Sequence, residues 1–366
     1  MTHTVWTEFL TSQSAHWQDG RVTHFGKDEQ VAREEKRTTL SAISDKGANI
    51  LCDLSHYALI SASGEDTQSF LQNQFCNDVL NISQTQSQLN AYCTPKGRIL
   101  AFFRLFLRND CYYLRLPQEI LEPTLKRLRM YVMMSKVTLE DASDTLIRIG
   151  FAGATAGQIL SKHLEKIPTA TDEMVNLNPE QDTEAGLSVI CLQPGTRFEI
   201  IGSTEAVQTL WGKLATEATP VGSGSWELLD IHAAIPDVVT DTQEAFVPQM
   251  LNLQAINALS FKKGCYPGQE IVARMHYLGK LKRRMFVVHA DEDSSVKPGD
   301  TLHAEGSESG QGVGKVVRAQ SHPDGGTDLL AVIEISSAEQ RTLRLHTADG
   351  PRLSLLKLPY TIEEAQ

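Results

Sequence analysis

Between Arg98 and Arg108 the chain reads RILAFFRLFLR, and after an Asn109-Asp110 pair it continues CYYLRLP (111–117). Two strand-like runs joined by a two-residue Asn-Asp turn predict a hairpin. Ile99, Ala101, Phe103, Leu105 and Leu107 make one apolar face of its first strand. Leu100, Phe102, Arg104, Phe106 and Arg108 make the other. Two arginines among aromatic rings either line a ligand cavity or snorkel to solvent, and solvent is the expectation for Arg108 more than for Arg104.

The rest of the chain places this hairpin in a larger assembly. At 366 residues it exceeds one ordinary core, and two or three domains are expected. Residues 1–45 are polar and charge-mixed and read as an arm with one short helix, poorly ordered at its start. YALISASG (57–64) reads as a strand and EDTQSFLQNQF (65–75) as a helix with Phe70, Leu71 and Gln74 on one side. Pro123 opens another helical pattern through Leu125, Leu128 and Val132. Strands at 146–153 and 196–202, with helices near 155–165 and 203–214, predict a small α/β sandwich over 145–225. Ser203 is suited to cap the last of these helices, and GSGS (222–225) punctuates the sandwich's end. From Arg283 the pattern is β-like, with turns at KPGD (297–300), PDGG (323–326) and ADG (348–350), and predicts a small barrel.

Composition excludes several classes. No apolar run approaches the roughly 18 residues of a membrane span, and MTHTVWTEFL lacks the basic head and apolar segment of a signal peptide. The six cysteines (52, 76, 93, 111, 191, 265) include no Cys-x-x-Cys pair, so neither a disulfide framework nor a stably bound metal is expected. The expected compartment is the cytoplasm. Net charge is 34 − 45 = −11, which argues against a general nucleic-acid binder. The charge is uneven: residues 262–284 hold seven Lys/Arg against Glu270 alone, and residues 96–136 hold nine against three acids. These are either solvated faces or a place for an anionic ligand.

One of those basic segments contains KKGCYPGQE (262–270). Pro267 suits the first turn of a helix and Gly279 its end, with Ile271, Val272 and Met275 as the apolar side. Cys265 then lies just outside a helix N-terminus, where the dipole and Lys263 both favour a thiolate. Gly264 and Gly268 allow a ligand close to the backbone. The opposing reading is an inert, buried cysteine, and spacing alone favours it slightly. A metal site with His276 fails because the two residues lie at opposite ends of the helix. A cysteine-protease reading needs His and Asn partners that spacing does not supply.

KKGCYPGQE with VARMHYLGKLKRR (272–284) and the preceding FVPQMLNLQAINALSFKKG (246–264) resembles the signature of the YgfZ-type folate-binding proteins, relatives of the glycine-cleavage T-protein (aminomethyltransferase). ALISASGEDTQSFLQNQFCNDV (58–79), CTPKGRILAFFRLF (93–106) and YVMMSKVTLED (131–141) resemble the same family more weakly. The resemblance implies an α+β, three-domain T-protein-like ring with a ferredoxin-like middle unit and a C-terminal β-barrel. Its domains would be the arm (1–45), a folate-binding domain (46–144 plus 226–282), the sandwich (145–225) and the barrel (283–366). It also implies a tetrahydrofolate-type ligand and a role in assembly or repair of iron–sulfur enzymes, including tRNA methylthiolation. The partners implied are reduced folate and iron–sulfur clients such as a tRNA methylthiotransferase; the net charge of −11 argues against direct RNA binding and the short apolar runs against a membrane.

Residue by residue, the resemblance makes Cys265 and Lys263 the functional pair, with either transient iron or sulfur ligation or redox protection of a client cluster as the chemistry of Cys265. It sets Tyr57 and Trp226 against folate; on its own residues Trp226 reads as a core anchor. Tyr57 departs from the family's usual Trp, keeps a ring able to stack and adds a hydroxyl. Arg104, Lys263, Arg274 or Arg283 would meet folate carboxylates. Two further departures are Asn73 in place of a glycine and His232 in place of a pteridine-recognising glutamate. Asp230 compensates for the latter if that segment is extended. The aminomethyltransferase alternative requires aspartates where this chain has Ala101 and Phe102, so a non-catalytic folate-binding factor is expected over a transferase.

Overall fold

The structure is a computed structural model that describes residues 2–28, 30–44, 47–177, 186–292, 295–306 and 312–362. The chain divides into two compact units, and the division falls inside the strand Ile99–Arg108. One unit comprises Met1–Thr67, Asn81–Gln88 and Arg104–Leu229; the other comprises Gln68–Leu80, Leu89–Phe103 and Asp230–Gln366.

The first unit is built on a six-stranded sheet. Its order is Met174–Leu177, Leu187–Gln193, Arg197–Gly202, Ile147–Gly153, Asn49–Asp53 and Thr219–Val221. All neighbours are antiparallel except the last pair. Strand alternation gives this sheet two unlike faces. Ile147, Ile149, Phe151, Phe198 and Ile200 pack with Leu210 and Trp211 of the helix Thr204–Leu214. That helix starts where the sequence predicts, with Ser203 accepting from the Ala206 N–H. Each such aliphatic or aromatic side chain contributes about 1.5–3 kcal/mol through burial. The opposite face carries Arg148, Gly150, Arg197 and Glu199 and is taken up below.

The expected hairpin forms. Arg104–Arg108 pairs with Cys111–Arg115 of the strand Cys111–Pro117, and Asn109 and Asp110 both take positive φ (49° and 57°), as a tight hairpin turn requires. Tyr57–Ser63 pairs with its second strand. Arg108 corrects one expectation: it is buried, and its Nη2 donates to the Gly186 carbonyl at 2.9 Å. A neighbouring carbonyl takes the place that solvent was expected to fill.

Residues 2–44 are a second correction. In place of a loosely ordered arm they hold the helices Thr2–Ser12 and Gln30–Ile43 and a hairpin, Ala15–Gln18 with Arg21–Phe25. Trp6 and Leu10, one helical turn apart, are fully buried, and Trp6 Nε1 donates to Asp53 Oδ1 at 2.7 Å. Residue 45, where the arm was expected to end, lies outside the described residues. GSGS likewise begins an element: the helix Ser223–His232 starts within it. Gly222 is required there because a Cβ would fall 1.9 Å from the Thr23 carbonyl oxygen.

The second unit contains the expected barrel. Six strands close in the order Arg283–Ala290, Thr327–Glu334, Gly314–Ser321, Thr301–Ala304, Leu343–Leu345 and Arg352–Leu356. Val288, Leu302, Val316, Ala331 and Leu345 are in its core. A second core cluster in this unit joins Cys76, Cys93, Phe102, Leu253, Tyr266 and Val272 to one side of the barrel strands. Among the described residues no helix is long and apolar enough to cross a membrane.

Candidate functional site

The signature loop is held at several points. Lys263 is buried, and its ammonium donates to the carbonyls of Gln72 (2.6 Å), Phe75 (2.6 Å) and Asn77 (3.0 Å). These carbonyls lie at and just beyond the end of the helix Thr67–Gln74, where unpaired C=O groups favour a cation. Burial pulls the Lys263 amine down to about 8, against the nearby charges of Cys76 and Asp78. Gln269 folds back, its Nε2 donating to the Lys263 and Gly264 carbonyls at 3.3 Å. Phe261 stacks on His276 with ring centroids 3.8 Å apart.

The helix behind the loop, Gln269–Tyr277, begins later than Pro267 predicts. Gly268 stands at its N-cap with φ 87°, and a Cβ there would lie 2.5 Å from the Thr94 carbonyl oxygen. Its bareness therefore serves packing on the Thr94–Gly97 turn; Gly264 faces open space. Between these fixed points Cys265 is exposed, alone among the six cysteines. The buried-cysteine alternative does not describe it. Lys263, by contrast, has all three ammonium hydrogens engaged by carbonyls.

The second polar site is the charged sheet face of the first unit. Arg197 and Glu199 alternate on one strand, Arg148 and Gly150 on its neighbour, with Glu199 opposite Gly150. The missing side chain at Gly150 makes room for the Trp226 ring, which a Cβ would approach to 2.4 Å. Arg197 covers that ring at 4.2 Å, and Arg115 covers Tyr57 at 4.1 Å. Arg115 Nε lies 3.1 Å from Glu199 Oε1. Glu199 is 1% exposed, and neither carboxylate oxygen accepts a hydrogen bond. Arg148, fully buried, donates through Nη1 to the Ser143 and Leu146 carbonyls, while Nε and Nη2 make no hydrogen bond. Burial pulls its guanidinium down to about 10, opposed by Asp53 and Glu199.

The predicted residues thus fall in different settings. Tyr57 and Trp226 share one buried cluster with Ile50, Cys52 and Leu54. Arg104 belongs to the same unit but is engaged elsewhere, its Nη1 bonded to Asp172 Oδ1 (2.5 Å) and Ser87 Oγ (3.1 Å). Asp230 pairs with Arg318 at 3.0 Å. Its segment is helical, so Asp230 and His232 do not share a face as extended chain would place them. His232 Nε2 meets Asp328 Oδ2 at 2.8 Å. Asn73 is exposed. Among the described residues no group of three His, Cys, Asp or Glu side chains is arranged to hold a metal ion.

Comparison with known proteins decides the family. Residues 12–261 match the family model described as the GCVT N-terminal domain. The chain is 31% identical over 327 residues to the tRNA-modifying protein YgfZ of Colwellia psychrerythraea, covering 88% of this chain and 97% of that protein. It is 32% identical over 314 residues to that of Yersinia enterocolitica, covering 86% and 93%. The chain belongs to the YgfZ family. Its fold is that of the glycine cleavage system aminomethyltransferase T from Bartonella henselae, with TM-score 0.72 and 15% identity over 96% of both chains.

Within the YgfZ family setting, Ala101 and Phe102 are buried in apolar surroundings and offer no carboxylate. Sequence reasoning missed Arg115, Arg148, Arg197 and Glu199. A signal was present in RFEIIG: two charges spaced by two in an otherwise apolar strand put both on one face. Nothing local predicted that Arg148, on the next strand, would join them.

Proposed function

We propose that the protein is a folate-binding accessory factor that supports assembly or repair of iron–sulfur enzymes, including one that methylthiolates tRNA, and works in the cytoplasm. The observation that carries this reading is Cys265, a thiol held out to solvent by a loop fixed through Lys263, Gln269 and Gly268. A cysteine serving only the core would be buried. Transient ligation of iron or sulfur and redox protection of a client's cluster both use such an exposed sulfur. Relatives named as tRNA-modifying proteins support the tRNA connection. The acidic net charge of −11 favours action through a client enzyme over direct RNA contact.

The donor set on the charged sheet face fits a reduced folate. A pterin edge presents adjacent N–H groups, and the Glu199 carboxylate, ion-paired through Oε1 with Arg115, has Oε2 without a hydrogen bond to receive them. Arg148 has guanidinium nitrogens left over for ligand oxygens, and Tyr57 and Trp226 supply rings on the same cluster. When bound, tetrahydrofolate supplies a carrier for one-carbon units. The residues here bind and orient it. With apolar side chains at 101 and 102, the chain has no group there to orient or deprotonate an attacking nitrogen, and so the transferase alternative is disfavoured.

The test is cellular. A deletion strain carrying Cys265→Ala should contain less methylthiolated tRNA than one carrying the wild-type chain; full modification would overturn the reading. Separately, tetrahydrofolate should change tryptophan fluorescence in wild type and do so much less in Trp226→Phe. An equal response in both moves the folate site away from this face.

A further inference from the structure

Beneath the signature loop two thiols meet. Cys76 follows the helix Thr67–Gln74, and Cys93 ends the strand Gln88–Cys93. Phe75 and Tyr92 form an antiparallel bridge, and the Cys76 N–H donates to the Ala91 carbonyl at 2.9 Å. This pairing brings the two Sγ atoms to 3.3 Å in a hydrogen bond. Both sulfurs are buried, in the same core cluster as Tyr266, the residue after Cys265. The hydrogen bond with Cys76, and then burial, push the Cys93 thiol up. The Lys263 ammonium lies within electrostatic reach of Cys76. Two of the three carbonyls that hold that ammonium, those of Phe75 and Asn77, flank Cys76 directly. The Cys76 carbonyl itself accepts from the Ser260 N–H at 3.1 Å.

We propose that Cys76 and Cys93 are a redox-active dithiol which a hydroperoxide converts to a disulfide, and that this bond alters the seating of Lys263 and the loop that presents Cys265. The sulfur of Cys76 attacks the terminal oxygen of the hydroperoxide. The O–O bond breaks, the thiol proton passes to the departing alkoxide, and a sulfenic acid and an alcohol result. Cys93 then attacks the Cys76 sulfur, and the sulfenic hydroxyl leaves with the Cys93 proton as water. The sulfurs together lose two electrons and the peroxide gains them. A second thiol already in contact favours the disulfide over further oxidation. Closing from 3.3 Å to a bond of about 2.05 Å needs a movement of about 1.3 Å. Cys76 carries two of the Lys263 acceptors with it, so a shift there reaches the loop through named hydrogen bonds. Burial makes the reaction slow, as befits a sensor of sustained oxidation and not a turnover catalyst.

This inference is independent of the folate and client readings. The test uses reduced, full-length Cys265→Ala protein, so that the exposed thiol does not compete. After hydrogen peroxide, the protein is alkylated under denaturing conditions and its peptides are mapped. The Cys76 and Cys93 peptides should be joined, with the mass of two hydrogens lost, and should separate on dithiothreitol. Amide hydrogen exchange over residues 260–268 should differ severalfold between oxidised and reduced protein. In Cys93→Ala on the same background, with a native near-ultraviolet spectrum confirmed, exchange should no longer respond to peroxide. Separately alkylated Cys76 and Cys93 after prolonged exposure to peroxide, well beyond what fully oxidises Cys265 in wild type, would overturn the dithiol. A joined pair with unchanged exchange would overturn its link to the loop.

Discussion

The signature loop and the charged sheet face both bury cations among aromatic rings, and they satisfy them in opposite ways. Lys263 reaches three carbonyls with three donors. Arg148 has two of its three nitrogens without hydrogen bonds, and Glu199 has both oxygens so. A buried polar group left unmade costs far more than a made bond returns. Saturation therefore marks Lys263 as part of the architecture, despite its place beside Cys265. On the folate proposal, the groups of Arg148 and Glu199 left without hydrogen bonds on the sheet face are where a ligand's donors and acceptors would go.

The largest expected effect tests the saturated side. Lys263→Met leaves three carbonyls without their donor and should lower unfolding free energy by about 3 kcal/mol, read from urea midpoints. A loss below about 1 kcal/mol would mean the ammonium is not structural and would return Lys263 to a role at the thiol. Next comes Glu199→Gln, which keeps the shape and removes the charge. We expect tetrahydrofolate affinity to fall about tenfold, or about 1.4 kcal/mol, in a fluorescence titration. Unchanged affinity would assign the carboxylate to its partner Arg115 and leave the contrast between the two regions without a functional meaning.

Buried ionisable groups also give the two units opposite pH slopes. In the first unit Glu35 accepts from the Phe25 and Gly222 N–H groups, and burial raises it from 4.5 to about 7. Between those values the folded state holds more protons than the unfolded one, so stability falls as pH rises from 4.5 towards 7. Lys263 is lowered from 10.5 to about 8. Between 8 and 10.5 the unfolded state holds more protons, and stability rises with pH. Urea denaturation across pH should show the acid-side slope lost in Glu35→Gln and the alkaline-side slope lost in Lys263→Met. The same slopes in variant and wild type would dissociate them from these residues.

How much of this was legible in the sequence follows from how local each cause is. The hairpin at Asn109-Asp110, the helix capped by Ser203 and the strands of the barrel depend on turn chemistry and alternation within a few residues, and they form as predicted. Residues 2–44 read as an arm because their apolar side chains are few. What orders them is Trp6 reaching Asp53, 47 positions away. Asp230 could stand in for a glutamate at 232 only if its segment were extended, and the structure continues a helix to His232. At the site, a lone cysteine between glycines was visible. The fate of the adjacent lysine was not, because its acceptors come from residues 72–77, nearly two hundred positions earlier. Arg148 and Glu199 face one another's surroundings only through sheet pairing, which spacing along one strand cannot show.

The smallest expected effect on stability is the one that bears most on function. Cys265 is exposed, so Cys265→Ser removes little buried surface and should move unfolding free energy by less than about 0.5 kcal/mol. Lys263→Met, two residues away, should differ from it by several-fold in the same measurement. If both hold, the loop separates into a residue that builds it and a residue that it displays. A fall in tRNA methylthiolation with Cys265→Ser then cannot be charged to unfolding, and the sulfur itself is the active element. Should Cys265→Ser instead destabilise the chain by more than about 1 kcal/mol, the thiol belongs with Lys263 as architecture, and the distinction between a saturated and an available group fails where it matters most.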